Sequence, residues 1–315
     1  MTDFAKLRKN SSIEKLQKTL EAQNTKFQRD ERYWQPTVDK AGNGFAVIRF
    51  LDAPAVDGDD AQPYVVLFNH GFKGPTGQYY IENSLTTLGK SDPVSEYNSK
   101  LWNTNIKANQ DKAREQKRRL SYISNILVVK DAAHPENEGK VFLYSYGKKI
   151  MDMIKYKAAI DQEVDEKGNV VNRDPEDQVY NPFNFWEGGN FKLSIRKVEG
   201  YRNYDKSRFD DKSSPLFSDD KKIEAIWRQC YSLKAEVAPE KFKTYEQLKE
   251  KLDRVLGLVG ESGPIAARRT AEDVSGDSSE DVPTAQEADA EIAKAVATTD
   301  EDEFETFAKL ARDLG

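Results

Sequence analysis

Between residue 33 and about residue 215 the apolar side chains come in short runs closed off by Gly, Pro and Asp, and this punctuation restricts the chain to a mainly β fold. Phe45-Ala46-Val47-Ile48-Arg49-Phe50-Leu51 and Tyr64-Val65-Val66-Leu67-Phe68 read as strands, and Gly42-Asn43-Gly44 reads as the turn before the first. Residues 122–130 and 141–146 read as a strand pair joined across the turn-rich stretch 131–139. In 191–198, Phe191, Leu193 and Ile195 alternate with Lys192, Ser194 and Arg196, the pattern of a half-buried strand with a basic outer face. Helical periodicity appears at residues 150–160, 223–237 and 245–256, so the expected class is mainly β with peripheral helices.

The two ends of the chain behave differently. Ser11-Ser12-Ile13-Glu14 fits a capping box, and Ile13, Leu16 and Leu20 then fall on one helical face flanked by Lys15 and Lys18, behind a lead-in of Lys6, Arg8 and Lys9. So short an amphipathic helix buries little alone and needs a partner surface; the bland alternative is a frayed terminus. Residues 261–300 are rich in Ala, Ser, Thr, Asp and Glu and poor in aromatics, which reads as disorder. Phe304, Phe307, Leu310 and Ala311 then follow Asp300-Glu301-Asp302-Glu303, as in an acidic peptide that docks on a partner, although a solubilising tail would look the same. The expected division is a basic segment 1–20, a core 21–256 and an acidic tail 257–315.

Charge follows this division. The net charge is −6, but from Glu261 onward fifteen Asp/Glu face five Lys/Arg, a net of −10, which leaves +4 on residues 1–260. A mildly basic body with an acidic tail points to nucleic acid, a membrane surface or an interaction arm. No run of eighteen apolar residues exists to span a membrane, and the start lacks the apolar stretch of a secretory signal. The single cysteine, Cys230, precludes internal disulfides and a cysteine-rich zinc site, and its neighbours Ile223, Ile226 and Trp227 mark it as a buried thiol.

Catalytic signatures are absent. His70 and His134 lie outside any H-E-x-x-H context, neither a P-loop nor a G-x-G-x-x-G loop is present, and the carboxylates are scattered. Binding signatures are plentiful. Lys112-Ala113-Arg114-Glu115-Gln116-Lys117-Arg118-Arg119 places five cations in eight positions just before Tyr122. Phe142, Tyr144 and Tyr146 share a strand face followed by Lys148 and Lys149, and Arg196, Lys197, Tyr201, Arg202, Tyr204, Lys206 and Arg208 interleave cations with tyrosines in an expected loop. Cations that track phosphates beside aromatic faces that take unstacked bases are what a single strand requires. An aromatic core stripe flanked by solvated charge is the rival reading, preferred for Phe142; exposure is preferred for Tyr201 and Tyr204.

The motifs Ala41-Gly42-Asn43-Gly44, Ala46-Val47-Ile48-Arg49-Phe50-Leu51, Asn69-His70-Gly71-Phe72-Lys73, Asn125-Ile126-Leu127-Val128-Val129-Lys130-Asp131, Pro135-Glu136-Asn137-Glu138-Gly139-Lys140-Val141-Phe142, Gly147-Lys148-Lys149-Ile150, Trp186-Glu187-Gly188 and Asn203-Tyr204-Asp205 together resemble the single-stranded DNA-binding, helix-destabilising proteins of T-even-type bacteriophages. The resemblance implies an OB-fold core that binds single strands, a short N-terminal segment for head-to-tail cooperativity, and an acidic tail that recruits replication and recombination proteins. It assigns Arg8 and Lys9 to cooperativity, through Leu7-Arg8-Lys9-Asn10-Ser11, with a second copy of that motif at Lys117-Arg118-Arg119-Leu120-Ser121. Contacts to DNA would fall on Arg49, Trp102, Lys117, Arg118, Arg119, Tyr122, Tyr144, Lys148, Lys149, Tyr201 and Tyr204. Two aromatic positions of the family carry Ala113 and Ile123 here.

The resemblance also implies a structural zinc held by one histidine and three cysteines. His70 matches the histidine, but the cysteine positions carry Ser84, Asp92 and Ser95, so no zinc and no other cofactor is expected. The function expected is a cooperative, sequence-tolerant coat on single-stranded DNA in phage replication, recombination and repair, without catalysis, in the cytoplasm of the infected bacterial host. Its partners would be single-stranded DNA, further copies of itself, replication and recombination proteins and, as a candidate RNA ligand, its own message; no membrane is expected. The alternatives are an acidic-tailed replication scaffold with incidental DNA contact, or a nuclease hidden among the carboxylates.

Overall fold

A computed structural model describes residues 30–160, 177–198 and 200–258; the segment containing Arg8 and Lys9 and the acidic stretch from Glu261 onward lie outside them. Among the described residues eight strands form an antiparallel sheet: β1 Gly44–Phe50, β2 Val65–Lys73, β3 Tyr79–Asn83, β4 Arg119–Asp131, β5 Val141–Tyr146, β6 Phe191–Val198, β7 Tyr201–Asn203 and β8 Arg208–Phe209. The order is β3-β2-β4-β1-β6-β7, with β5 on β4 and β8 on β6. Five helices lie around it: α1 Pro93–Trp102, α2 Lys107–Glu115, α3 Lys148–Lys157, α4 Asp220–Trp227 and α5 Tyr245–Leu256. This is the mainly β architecture with peripheral helices that the periodicity predicts.

The thirteen-residue β4 organises the sheet. Its first half pairs with β2, from Asn69↔Arg119 to Val65↔Ile123, and its second half pairs with β1, from Phe50↔Ile126 to Ala46↔Asp131. Its other edge carries β5, from Tyr122↔Tyr146 to Leu127↔Val141. A strand bonded to three neighbours must bend, and the register shift between Val47 and Ile48 provides the extra twist. Alternation then sorts the side chains. Ile48, Phe50, Ile126, Tyr144, Tyr146, Phe191 and Leu193 share the main core, which α3 covers with Ile150, Met151 and Ile154. Each such apolar side chain contributes about 1.5–3 kcal/mol on burial.

A second layer sits beyond β2 and β3. Val94 of α1 and Leu248, Leu252 and Val255 of α5 pack with Phe72, Tyr80 and Leu85. α5 matches its expected span. Thr244 and Gln247 form a capping box, and Gly257, in the left-handed region, ends it. Val255 approaches β2 so closely that a Cβ on Gly74 would lie 2.1 Å from its carbonyl oxygen.

The structure departs from expectation in three places. The helix expected over 223–237 stops at Trp227 because neighbours take over the backbone that follows. Asn125 accepts from the Tyr231 N–H and donates to its carbonyl, at 2.9 Å each, while Asp57 accepts from the N–H groups of Leu233 and Lys234. The expected loop at 196–208 is instead a β6–β7 hairpin followed by β8. Finally, α1 and α2 lie inside the stretch read as β; Asp92 caps α1 and Pro93 occupies its first turn, a legible start signal. Cys230 is buried, as expected, and burial pushes its thiol up to about 12; His134 lies exposed beside Glu136.

Candidate nucleic-acid interface

The β2–β4 pairing brings one alternating set of side chains to a single face: Val66 opposite Tyr122 and Phe68 opposite Leu120, with Tyr64 just before β2. All five are half-buried or exposed, so this face is not sealed core. Tyr64 meets Tyr122 edge-on at 5.8 Å, Tyr122 stacks on Tyr146 at 5.8 Å, and Tyr146 stacks on Tyr144 at 5.6 Å. The aromatic series therefore runs from a half-open surface into the core. Tyr146 is anchored at its inner end by Ser124, whose Oγ is 2.9 Å from the tyrosine OH.

Cations stand at both ends of this strip. At the β4 start the Arg118 guanidinium lies 4.4 Å from the centre of the Phe68 ring, a cation–π contact that holds the charge over the face. At the other end Lys148 and Lys155 of α3 act electrostatically on Tyr122. Burial nevertheless dominates there and raises the phenol above its ordinary value, so Tyr122 is a neutral stacking surface throughout the physiological range. Lys148 pairs with Asp152 at 2.8 Å, and Lys149 with Asp205 at 3.6 Å, which ties α3 to the β7–β8 turn. Tyr201 is half exposed on β7, and Tyr204 packs partly against the core edge. Trp102 ends α1 under Arg114, 5.1 Å from its ring centre, on the side of the basic cluster.

Three expected contacts move out of a solvent-facing groove. Arg49 is on the outer face of β1, but residues 184–188 and Ser214 cover that face. Its Nη2 donates to the carbonyls of Asn184 and Ser214 at 3.0 and 2.8 Å, and burial lowers its pKa to about 10. Gly188 of the Trp-Glu-Gly motif is required there, since a Cβ would lie 2.3 Å from the Asn184 carbonyl oxygen and 2.8 Å from that Nη2. Lys117 is buried between α2 and β4, and Tyr144 is 4% exposed, wedged between Trp34 and Tyr146. Ala113 and Ile123 are buried as well. Conversely, Tyr64, Phe68 and Lys155 belong to the strip and were not singled out by sequence. The run 64–68 reads as a strand, but which of its faces stays open depends on what packs above it. A cleft of about 730 Å³ between α3 and β8 has a mixed lining, Asp152, Asp177, Asp205 and Asp211 with Lys149, Lys157 and Arg208, so its charges largely offset one another.

Residues 42–256 match the model of the family described as gp32 DNA binding protein like. The chain belongs to this family. It is 41% identical over 254 residues to the single-stranded DNA-binding protein of Enterobacteria phage T2, which covers 79% of this chain and 78% of that protein. The same identity and coverage hold for the single-stranded DNA-binding protein of Enterobacteria phage T4. A shorter match, 46% over 82 residues, is to the single-stranded DNA-binding protein of Escherichia phage SV14 and covers 25% of this chain and 69% of that protein.

The four positions at which the resemblance implies zinc ligands, His70, Ser84, Asp92 and Ser95, form a hydrogen-bonded unit of another kind. His70 Nδ1 is 3.0 Å from the Gln116 carbonyl, and its Nε2 is 3.3 Å from Asp92 Oδ1. Asp92 Oδ1 accepts from the N–H groups of Val94 and Ser95 at 3.0 and 3.2 Å, and Oδ2 from Leu85 at 3.1 Å. Burial raises the Asp92 pKa, but His70 and these backbone donors outweigh it and hold the carboxyl at about 2. Ser84 caps the short turn Leu85–Leu88 through the Thr86 N–H. Zinc prefers four nitrogen, sulfur or carboxylate donors, and this set offers two, His70 Nε2 and an Asp92 carboxylate already taken by backbone N–H groups; it does not fit the metal. Among the described residues no group of three or more His, Cys, Asp or Glu is placed to hold an ion, and no helix is long and apolar enough to cross a membrane.

Proposed function

We propose that this chain binds single-stranded DNA with little sequence preference and without catalysis. The observation that carries this reading is the half-open aromatic face of Tyr64, Phe68 and Tyr122, with Arg118 at one end and Lys148 and Lys155 at the other. Unstacked bases lie on the rings, each contributing about 1–3 kcal/mol, and the cations follow the phosphates. Trp102, Arg119, Lys149, Tyr201 and Tyr204 extend the path on either side. Because the strip holds single strands and not duplex, binding pulls the melting equilibrium by mass action and needs no nucleotide hydrolysis. The names of the phage T2 and T4 relatives support the same ligand.

The finer reading is a cooperative coat on single strands during phage replication, recombination and repair, in the cytoplasm of the infected bacterial host. Residues 1–20, with Arg8 and Lys9, join neighbouring copies head to tail. The acidic tail recruits replication and recombination proteins and covers the basic face when DNA is absent. Deleting residues 261–315 then strengthens duplex destabilisation, and no change refutes the competition. The chain's own message is a further candidate ligand. The His70–Asp92 unit takes the place of zinc.

Titration with oligo-dT at several salt concentrations tests the core of this reading. Quenching of tryptophan and tyrosine emission is expected, together with a steep loss of affinity as salt rises. A scaffold with incidental contact would show weak binding without that slope, and strand cleavage in magnesium would establish a nuclease.

A further inference from the structure

A groove of about 660 Å³ lies between the loop after β1, the turn that carries Trp186, and α4. Its floor is aromatic, formed by Phe185, Trp186 and Trp227. Both indoles are fixed: Trp186 Nε1 donates to Asp220 at 2.9 Å and Trp227 Nε1 to the Ala53 carbonyl at 2.8 Å. Trp186 is nevertheless 53% exposed, unusual for an indole held so firmly. The lining carries four carboxylates, Asp52, Asp59, Asp220 and Glu224, and no cation; Arg228 pairs with Glu224 from outside the lining. An acidic aromatic groove repels a phosphate backbone, and it equally repels the acidic apolar peptide at 300–311.

We infer that this groove receives residues 1–20 of the neighbouring copy on the strand. The inference rests on the head-to-tail association proposed above and names its acceptor surface. Residues 1–20 carry five cations against two acids, and Ile13, Leu16 and Leu20 recur at i, i+3 and i+7, so charge and apolar spacing both complement the groove. The described chain begins beside the same rim: Arg32 and Tyr33 bond Glu236 at 2.8 Å each, and Asp57 bonds the backbone of Leu233 and Lys234. A nine-residue linker such as 21–29 can reach at most about 30 Å, which sets the span within which residues 1–20 meet their acceptor.

Charge exchange in the full-length chain tests the pairing. Affinity is measured on an oligo-dT long enough for one copy and on a long dT strand, for Arg8→Glu/Lys9→Glu, for Asp59→Lys/Glu224→Lys, and for the four changes combined. Each pair of changes is expected to lower the gain on the long strand by about tenfold or more while leaving short-strand affinity within about twofold, and the combination is expected to recover most of the loss. The acceptor assignment is overturned if reversing the acids leaves the long-strand gain intact, as docking on the same copy would, or if the combination is no better than either pair alone. A synthetic peptide of residues 1–20 added to the full-length chain without DNA should also shift Trp186 emission, with Trp186→Phe as the control. If oligo-dT does not bind at all, the DNA-binding reading fails, and the peptide titration alone decides the groove.

Discussion

Replacing Asp92 tests the idea that a carboxylate–histidine unit holds the layer formed by β3, α1 and α5. In Asp92→Ala the cap of α1 is lost, which costs about 0.5–2 kcal/mol, and the buried Leu85 N–H loses its acceptor, a further cost of about 1–3 kcal/mol. The sum is about 3 kcal/mol, a large share of the stability of a typical domain. The carboxyl also carries a pH signature. Its pKa falls from an ordinary 3.8 to about 2, so folding favours the ionised form. The corresponding stability, about 2 kcal/mol, is fully present above pH ~4 and is lost as pH falls through the folded value; roughly half is gone by pH ~3. Asp92→Asn retains one capping oxygen but no titration. Urea unfolding of the full-length chain, followed by tryptophan emission at pH 7 and pH 3, should show the wild type losing about 1 kcal/mol more than Asp92→Asn on acidification. Equal pH dependence of the two proteins, an Asp92→Ala cost below about 1 kcal/mol, or one equivalent of tightly bound zinc in purified protein would refute the reasoning.

Tyr122→Ala should weaken oligo-dT binding by about 1–3 kcal/mol, while Tyr122→Phe, which keeps the ring, should bind like wild type in the same fluorescence titration. Lys148→Ala/Lys149→Ala should make the plot of log affinity against log salt shallower by about 1.4, from two lost phosphate contacts on a single strand; an unchanged slope would place both lysines off the path. Arg49→Met removes a buried cation whose Nε and Nη1 have no hydrogen-bond partner but leaves the Asn184 and Ser214 carbonyls without their donor. These effects oppose each other, so thermal unfolding should move modestly and oligo-dT affinity should stay within about twofold; a tenfold loss would return Arg49 to the interface.

The strands were legible because period-2 alternation is a local property: 191–198 alternates in the sequence and in the sheet alike. α5 was legible because its caps lie within its own sequence. What escaped depends on distant partners. Nothing near residue 231 announces that Asn125, more than a hundred positions earlier, will take its backbone hydrogen bonds and end α4. Arg49 follows the same logic. Its outward position on β1 follows from alternation, but the cover over it comes from residues 184–188 and 214. α1 is a different case, because Asp92-Pro93 is a local start signal lying inside a stretch whose dominant pattern is β.

The same distinction bears on how an aromatic residue divides its role between core and ligand. Tyr144, Tyr146 and Tyr122 form one stacked series, yet only Tyr122 retains open surface. The inner members are not redundant. Tyr146, held by Ser124, fixes the plane on which Tyr122 rests, so the outer ring has little freedom to lose when a base stacks on it. A base that meets a ring already held in place gains the stacking energy without the ordering cost of an exposed tyrosine. Loosening the inner ring should therefore weaken DNA binding although it never touches DNA. Tyr146→Leu, which retains burial but removes the stacking partner, separates this effect from lost exposure: oligo-dT affinity should fall while Tyr122 keeps its solvent accessibility to iodination.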